Sequence, residues 1–111
     1  MKMIECVIRP EKLNGVKQAL AKIGILGITA IEVKGSGRQK GKMVDSKGES
    51  TIEFLPKVLL KMVVKDQQLP QALEMITSSS RTGSIGDGKI FVSNIEEAIR
   101  IRTGQRGDAA L

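Results

Sequence analysis

The stretch IEFLPKVLLKMVVKDQQLPQALEMITSSSRTGSIGDGKIFV, Ile52 to Val92, holds one complete strand–helix–strand unit, and its reading decides the fold. Ile52 to Lys65 is aliphatic and β-branched and reads as a strand interrupted by Pro56. From about Gln68 to Ser79, Leu69, Ala72, Leu73 and Ile76 fall on one helical face, and Pro70 suits the first turn. A glycine-rich segment at 81–89, RTGSIGDGK, then runs straight into a strand, Ile90-Phe91-Val92.

The same order repeats toward the N-terminus. Met3 to Arg9 reads as a strand closed by Pro10. Leu13, Val16, Leu20 and Ile23 then mark a helix that Gly24 stops, and Ile28 to Lys34 is a second strand with Thr29, Ile31 and Val33 on one face. Residues 35–51 (GSGRQKGKMVDSKGEST) contain four glycines and almost nothing apolar, which predicts a long exposed loop of functional rather than packing value. Toward the C-terminus, Asn94 with Glu97 three residues on has the pattern of a capping box for a short final helix.

Two β-α-β halves predict an α+β, ferredoxin-like fold, βαββαβ, with an antiparallel sheet and both helices on one face. The chain of 111 residues is expected to be a single domain, 1–111. Its other sheet face has no helix to cover it. Aromatic residues make up only 2%, Phe54 and Phe91, so the core must be aliphatic, and a small sheet of that kind gains by burying its open face against another subunit.

The net charge of +6 favours anionic partners. The sole cysteine, Cys6, lies in an apolar run and reads as a core residue; a lone cysteine and the absence of a signal sequence or spanning segment predict a cytoplasmic protein. There is no His, Tyr or Trp, and no CxxC pair, so neither a dedicated zinc or iron site nor general acid–base catalysis is expected; no catalytic residue is assigned.

Phosphate binding is the chemistry the motifs favour. In GSIGDGK (Gly83 to Lys89) glycines let backbone N–H groups converge on an anion, and Lys89 adds charge. GSGRQKG (Gly35 to Gly41) repeats that chemistry with Arg38 and Lys40, and Arg100 and Arg102 would share a face if their segment were extended. Walker A fails, because five residues separate Gly35 from Gly41 and Met43 follows Lys42; the dinucleotide fingerprint meets Lys40 where its third glycine belongs.

RTGSIGDGKIFV with the later IRIRTGQRGDAAL, VKGSGRQKG at 33–41, EFLPKV at 53–58 and the opening MKMIECVIRPEKL together resemble the PII signal-transduction family over almost the whole chain. The resemblance implies a homotrimer that binds ATP or ADP in clefts between subunits and acts on a target protein through a T-loop, here 35–53, with 81–89 as phosphate loop and 100–111 as a basic C-terminal segment. It implies that Gly37, Arg38 and Gln39 meet the phosphates from one subunit, with Thr29, Val63 and the backbone near Lys61 beside the adenine. Gly86, Asp87, Gly88, Lys89, Arg100 and Arg102 would come from the neighbour. It implies too that 2-oxoglutarate binds beside MgATP through Gln39, Lys40, Gly41 and Lys57, with Gln39 also on the metal, and that Lys42, Lys47, Ser50 and Thr51 lie in the partner-reading loop.

The departures from that pattern are specific. The family's modified T-loop tyrosine would fall at Ser50 or Thr51, and the chain has no tyrosine, so uridylylation is excluded. The loop is one residue short, Ser36 replaces a usual aromatic, Lys47 replaces a loop-tip arginine and Lys61 a usual acidic residue. The regulated partner, a transporter or a metabolic enzyme, is left open by these changes, and a membrane is reached only through a transporter. Two alternatives stand beside this reading: an adenylate sensor with no 2-oxoglutarate response acting on a target unrelated to ammonium, and a basic ferredoxin-like RNA module. The latter is disfavoured by the lack of a glycine-aromatic stacking motif, so no nucleic-acid partner is expected.

Overall fold

A computed structural model describes residues 1–37, 42–44, 50–52 and 54–111, with the backbone alone at 42–44 and 50–52. In chain order the elements are β1 (Lys2–Ile8), α1 (Leu13–Lys22), β2 (Thr29–Gly35), β3 (Lys42–Val44), β4 (Ser50–Ile52), β5 (Leu55–Val64), α2 (Leu69–Ser80) and β6 (Lys89–Asn94), followed by a short 3-10 turn, Gly107–Ala110. The main sheet runs β2-β5-β1-β6 with every pairing antiparallel, the ferredoxin-like order.

The register sorts the side chains onto two faces. Ile4 opposite Met62, Cys6 opposite Leu60 and Ile8 opposite Val58 form a row that is fully or nearly fully buried. Val16 and Leu20 of α1 and Ala72 and Ile76 of α2 close over it, so the core lies between the helices and this face. Among the described residues, twelve aliphatic or sulfur-bearing side chains make it up, without an aromatic ring. Gly24, at φ +82, ends α1 as its sequence position predicts.

The opposite face is open. Met3, Glu5 and Val7 of β1 stand there beside Val63, Lys61 and Leu59 of β5, flanked by Thr29 and Ile31 on β2 and by Phe91 on β6. Phe91 is 58% exposed and Ile31 41%. Phe91, read from its apolar strand, belongs to this open face and not to the core.

Three expectations need correction. The strand expected over Ile52 to Lys65 is two elements: β5 begins at Leu55, and residues 50–52 belong to the ribbon that β4 makes with β3. Pro56 therefore lies inside β5, at its second position and beyond the pairing with β1, where a missing N–H costs the sheet little. The stretch expected to be all loop likewise contributes β2 through Gly35 and the ribbon. Finally, no helix starts at Asn94. Asn94 accepts a hydrogen bond from Lys2, while Glu97 takes the N–H of Gly107 and pairs with Arg106, closing a hairpin-like return in which Ile99 bridges Arg106.

Candidate functional site

Among the described residues, two clefts open onto the uncovered sheet face, at opposite ends of its strands. The first, of about 760 Å³, lies where Val7, Gly35, Leu55 and Phe91 meet the glycine loop, and Gly37, Lys57, Gly86, Asp87, Gly88 and Lys89 all line it. The second, of about 700 Å³, lies at the Met3–Val63 end and is lined by Thr29, Lys61, Val63, Lys65, Arg100 and Leu111 among others.

Side chains hold the glycine loop of the first cleft from beneath. Asp87 accepts the N–H groups of Thr82 and Gly83, each at 2.8 Å, and the Thr82 hydroxyl. Its carboxylate thus caps the turn that opens the loop. The Thr82 hydroxyl, the Thr82 and Gly83 amides and the Arg9 guanidinium hold this carboxyl well below the usual range, so it is ionised at neutral pH. Arg9 joins Asp87 at 3.1 Å and donates to the Ile85 carbonyl at 2.9 Å. Lys57, nearly buried, donates to the Gly86 carbonyl at 2.8 Å; burial, then the neighbouring Arg9 charge, lowers its pKa.

Three glycines of the loop hold a positive φ, Gly83 at +89 among them. Gly86 and Gly88 have φ of +103 and +100, and a Cβ on Gly88 would stand 1.7 Å from the Val7 carbonyl oxygen. Among the described residues, the N–H groups of Gly86, Asp87 and Gly88 donate to no protein acceptor. A row of bare amides beside Lys57 and Lys89 fits a phosphate chain chemically. Among the described residues no cluster of three or more His, Cys, Asp or Glu is placed to hold a metal.

A profile of the family described as nitrogen regulatory protein P-II matches residues 1–105. The chain belongs to this family. It is 53% identical to a nitrogen regulatory protein P-II of Rhodobacter capsulatus and 54% identical to one of Rhodospirillum rubrum, each over 112 positions that span the whole of both chains. A namesake from Pasteurella multocida is 48% identical over the same full span.

Within this P-II fold the residues expected to bind nucleotide fall into two groups, and the grouping differs from the one the resemblance implied. Gly37 shares the first cleft with Gly86 to Lys89 of the same chain, whereas Thr29 and Val63 share the second with Arg100. The antiparallel register explains it: Gly35 and Lys89 both lie at the Val7 end of the sheet, Thr29 and Val63 at the Met3 end. Arg100 and Arg102 do not stand side by side on an extended segment either. Residues 101–103 form a turn, Arg100 donates to the Gln105 side chain and, at 2.9 Å, to the Leu111 carbonyl, and Arg102 is exposed and lines neither cleft.

Arg38, Gln39, Lys40, Gly41 and Lys47 lie outside the described residues. Lys42, Thr51 and Ser50 sit on the β3–β4 ribbon, paired with Ile52, Met43 and Val44. Sequence reasoning missed Arg9, because its partners are 76 and 78 residues away and no local pattern marks them. It also missed the C-terminal residues Ala110 and Leu111 as lining of the second cleft.

Proposed function

We propose that this chain is a regulator of nitrogen metabolism that senses ATP and ADP as a homotrimer and transmits the result through its T-loop to a transporter or metabolic enzyme, catalysing no reaction of its own. The observation that carries the reading is the glycine loop, whose Gly86, Asp87 and Gly88 amides have no protein partner among the described residues, clamped by Arg9, Lys57 and Asp87 and flanked by Lys89. The first cleft of one subunit supplies this phosphate seat with Gly37. The second cleft of its neighbour supplies Thr29 and Val63 for the base and Arg100 for further charge, with Arg102 reaching in from its exposed turn. Arg38 and Gln39 complete the phosphate contacts from the T-loop base, with Gln39 on a magnesium ion. The protein works in the cytoplasm and meets a membrane only through a transporter.

Sensing of 2-oxoglutarate through Gln39, Lys40, Gly41 and Lys57 is the finer proposal. The competing reading is an adenylate-only sensor; the Lys57 ammonium, a three-proton donor that gives one bond to the Gly86 carbonyl, is compatible with both. Calorimetric titration of ATP and ADP, with and without magnesium and 2-oxoglutarate, tests both. Replacing Lys89 or Arg102 with Ala should weaken ATP by about 10- to 100-fold, the loss of one charge-assisted contact. If both variants bind ATP as the unmodified protein does, nucleotide sensing is the wrong reading. If ATP and ADP bind but 2-oxoglutarate changes neither, the adenylate-only sensor stands.

A further inference from the structure

Arg9 is the residue around which the glycine loop is assembled, although it lines neither cleft. It follows the last residue of β1 and precedes Pro10, and its side chain is only 15% exposed. Its guanidinium Nε–H donates to the Asp87 carboxylate and its Nη2 to the Ile85 carbonyl. Lys57 takes the next carbonyl along, that of Gly86.

The orientation of the amides follows from peptide geometry. In a trans peptide the C=O of one residue and the N–H of the next point in opposite directions, and the described residues contain no cis peptide. Turning the Ile85 carbonyl onto Arg9 therefore turns the Gly86 N–H away from it. Turning the Gly86 carbonyl onto Lys57 does the same for the Asp87 N–H. The positive φ values of Gly86 and Gly88 are what let consecutive peptides adopt these directions.

We infer that Arg9 is the positioning residue of the phosphate seat: by holding the Ile85 carbonyl and the Asp87 carboxylate together, it sets the direction in which the loop amides meet an anion. The inference rests on the polyphosphate reading above. It assigns Arg9 no contact with the ligand. Lysine cannot replace it, because a single ammonium lacks the planar fork that spans a carboxylate and a carbonyl at once.

The full-length protein and its Arg9→Lys and Arg9→Met variants are titrated with ATP and with inorganic tripolyphosphate, and their backbone amide spectra are recorded. Both variants should bind each ligand about 10-fold more weakly, with the melting temperature kept within about 2 °C. Tripolyphosphate should shift the Gly86 and Gly88 amide signals of the unmodified protein strongly and those of the variants much less. Unchanged affinity in both variants overturns the role of Arg9 while leaving the seat itself intact. A fall in affinity accompanied by a lower melting temperature and displaced core-strand amides overturns it in favour of a scaffold role. Failure of the unmodified protein to bind either ligand overturns the polyphosphate reading, and the inference with it.

Discussion

At Gly88 a side chain has nowhere to go: its Cβ would lie 1.7 Å from one backbone atom of β1 and 2.8 Å from another, at a φ that L-residues rarely adopt. Gly88→Ala should therefore move the loop off β1, costing about 3 kcal/mol of stability from strain and lost contacts, and should lower phosphate affinity further. Gly37 offers the contrast, since among the described residues nothing lies within 4 Å of a Cβ built there; Gly37→Ala should unfold in denaturant at nearly the unmodified midpoint. Asp87 gives the second residue-scale prediction. Its pKa is depressed in the folded protein, so its contribution is full above the ordinary carboxylate value and is lost only as pH falls through the lower folded one. The Thr82 and Gly83 amide signals should stay at their neutral-pH positions at about pH 4, where a free Asp is half protonated. A midpoint near that pH would mean that the carboxylate is not bonded as described.

Among the elements, β1 is central: it pairs on both sides and carries Ile4, Cys6 and Ile8 into the core. Burial pushes the Cys6 thiol up to about 11, so at pH 8 it is neutral as well as inaccessible. A disulfide reagent should leave it unreacted in the native protein and modify it at once in denaturant; fast native reaction would show that β1 opens locally. The strands and helices of both halves were legible because their apolar spacing reports burial, and the glycine loop because few other residues reach positive φ. The last helix was misread because Asn94 and Glu97 have a capping-box spacing, yet Glu97 finds stronger partners across the chain return, in the Gly107 amide and Arg106. The placement of Arg100 failed for a related reason. An i, i+2 argument assumes extended backbone, and Gly104 at φ +73 bends the segment, with its N–H on the Arg100 carbonyl. Arg9 was out of reach altogether, since a contact between the end of β1 and the loop before β6 exists only once those strands pair.

For the molecule as a whole, the two clefts and the open face pose one geometric problem. Each cleft holds an incomplete set: the first has amides and lysines for phosphate but neither Thr29 nor Val63, the second has Thr29, Val63 and Arg100 but no glycine loop. Both open onto the same uncovered face, at opposite ends of its strands, so in the proposed assembly a neighbour that covers the face would bring the second cleft of one chain against the first cleft of another. A cyclic arrangement repeats that contact until it closes; three copies is the number expected. Light scattering should give three times the 12.0 kDa chain mass at micromolar concentration. Ile31 tests the link between assembly and binding, because it stands on the open face at the edge strand, 41% exposed, and lines neither cleft. Ile31→Asp should leave the fold of the single chain intact, since it removes little buried area there, yet an unpaired carboxylate in an apolar contact should disperse the trimer. ATP affinity should then fall with the assembly, although no group that touches the nucleotide has been altered. A monomer that retains full ATP affinity would refute the shared cleft and place the whole site within one chain.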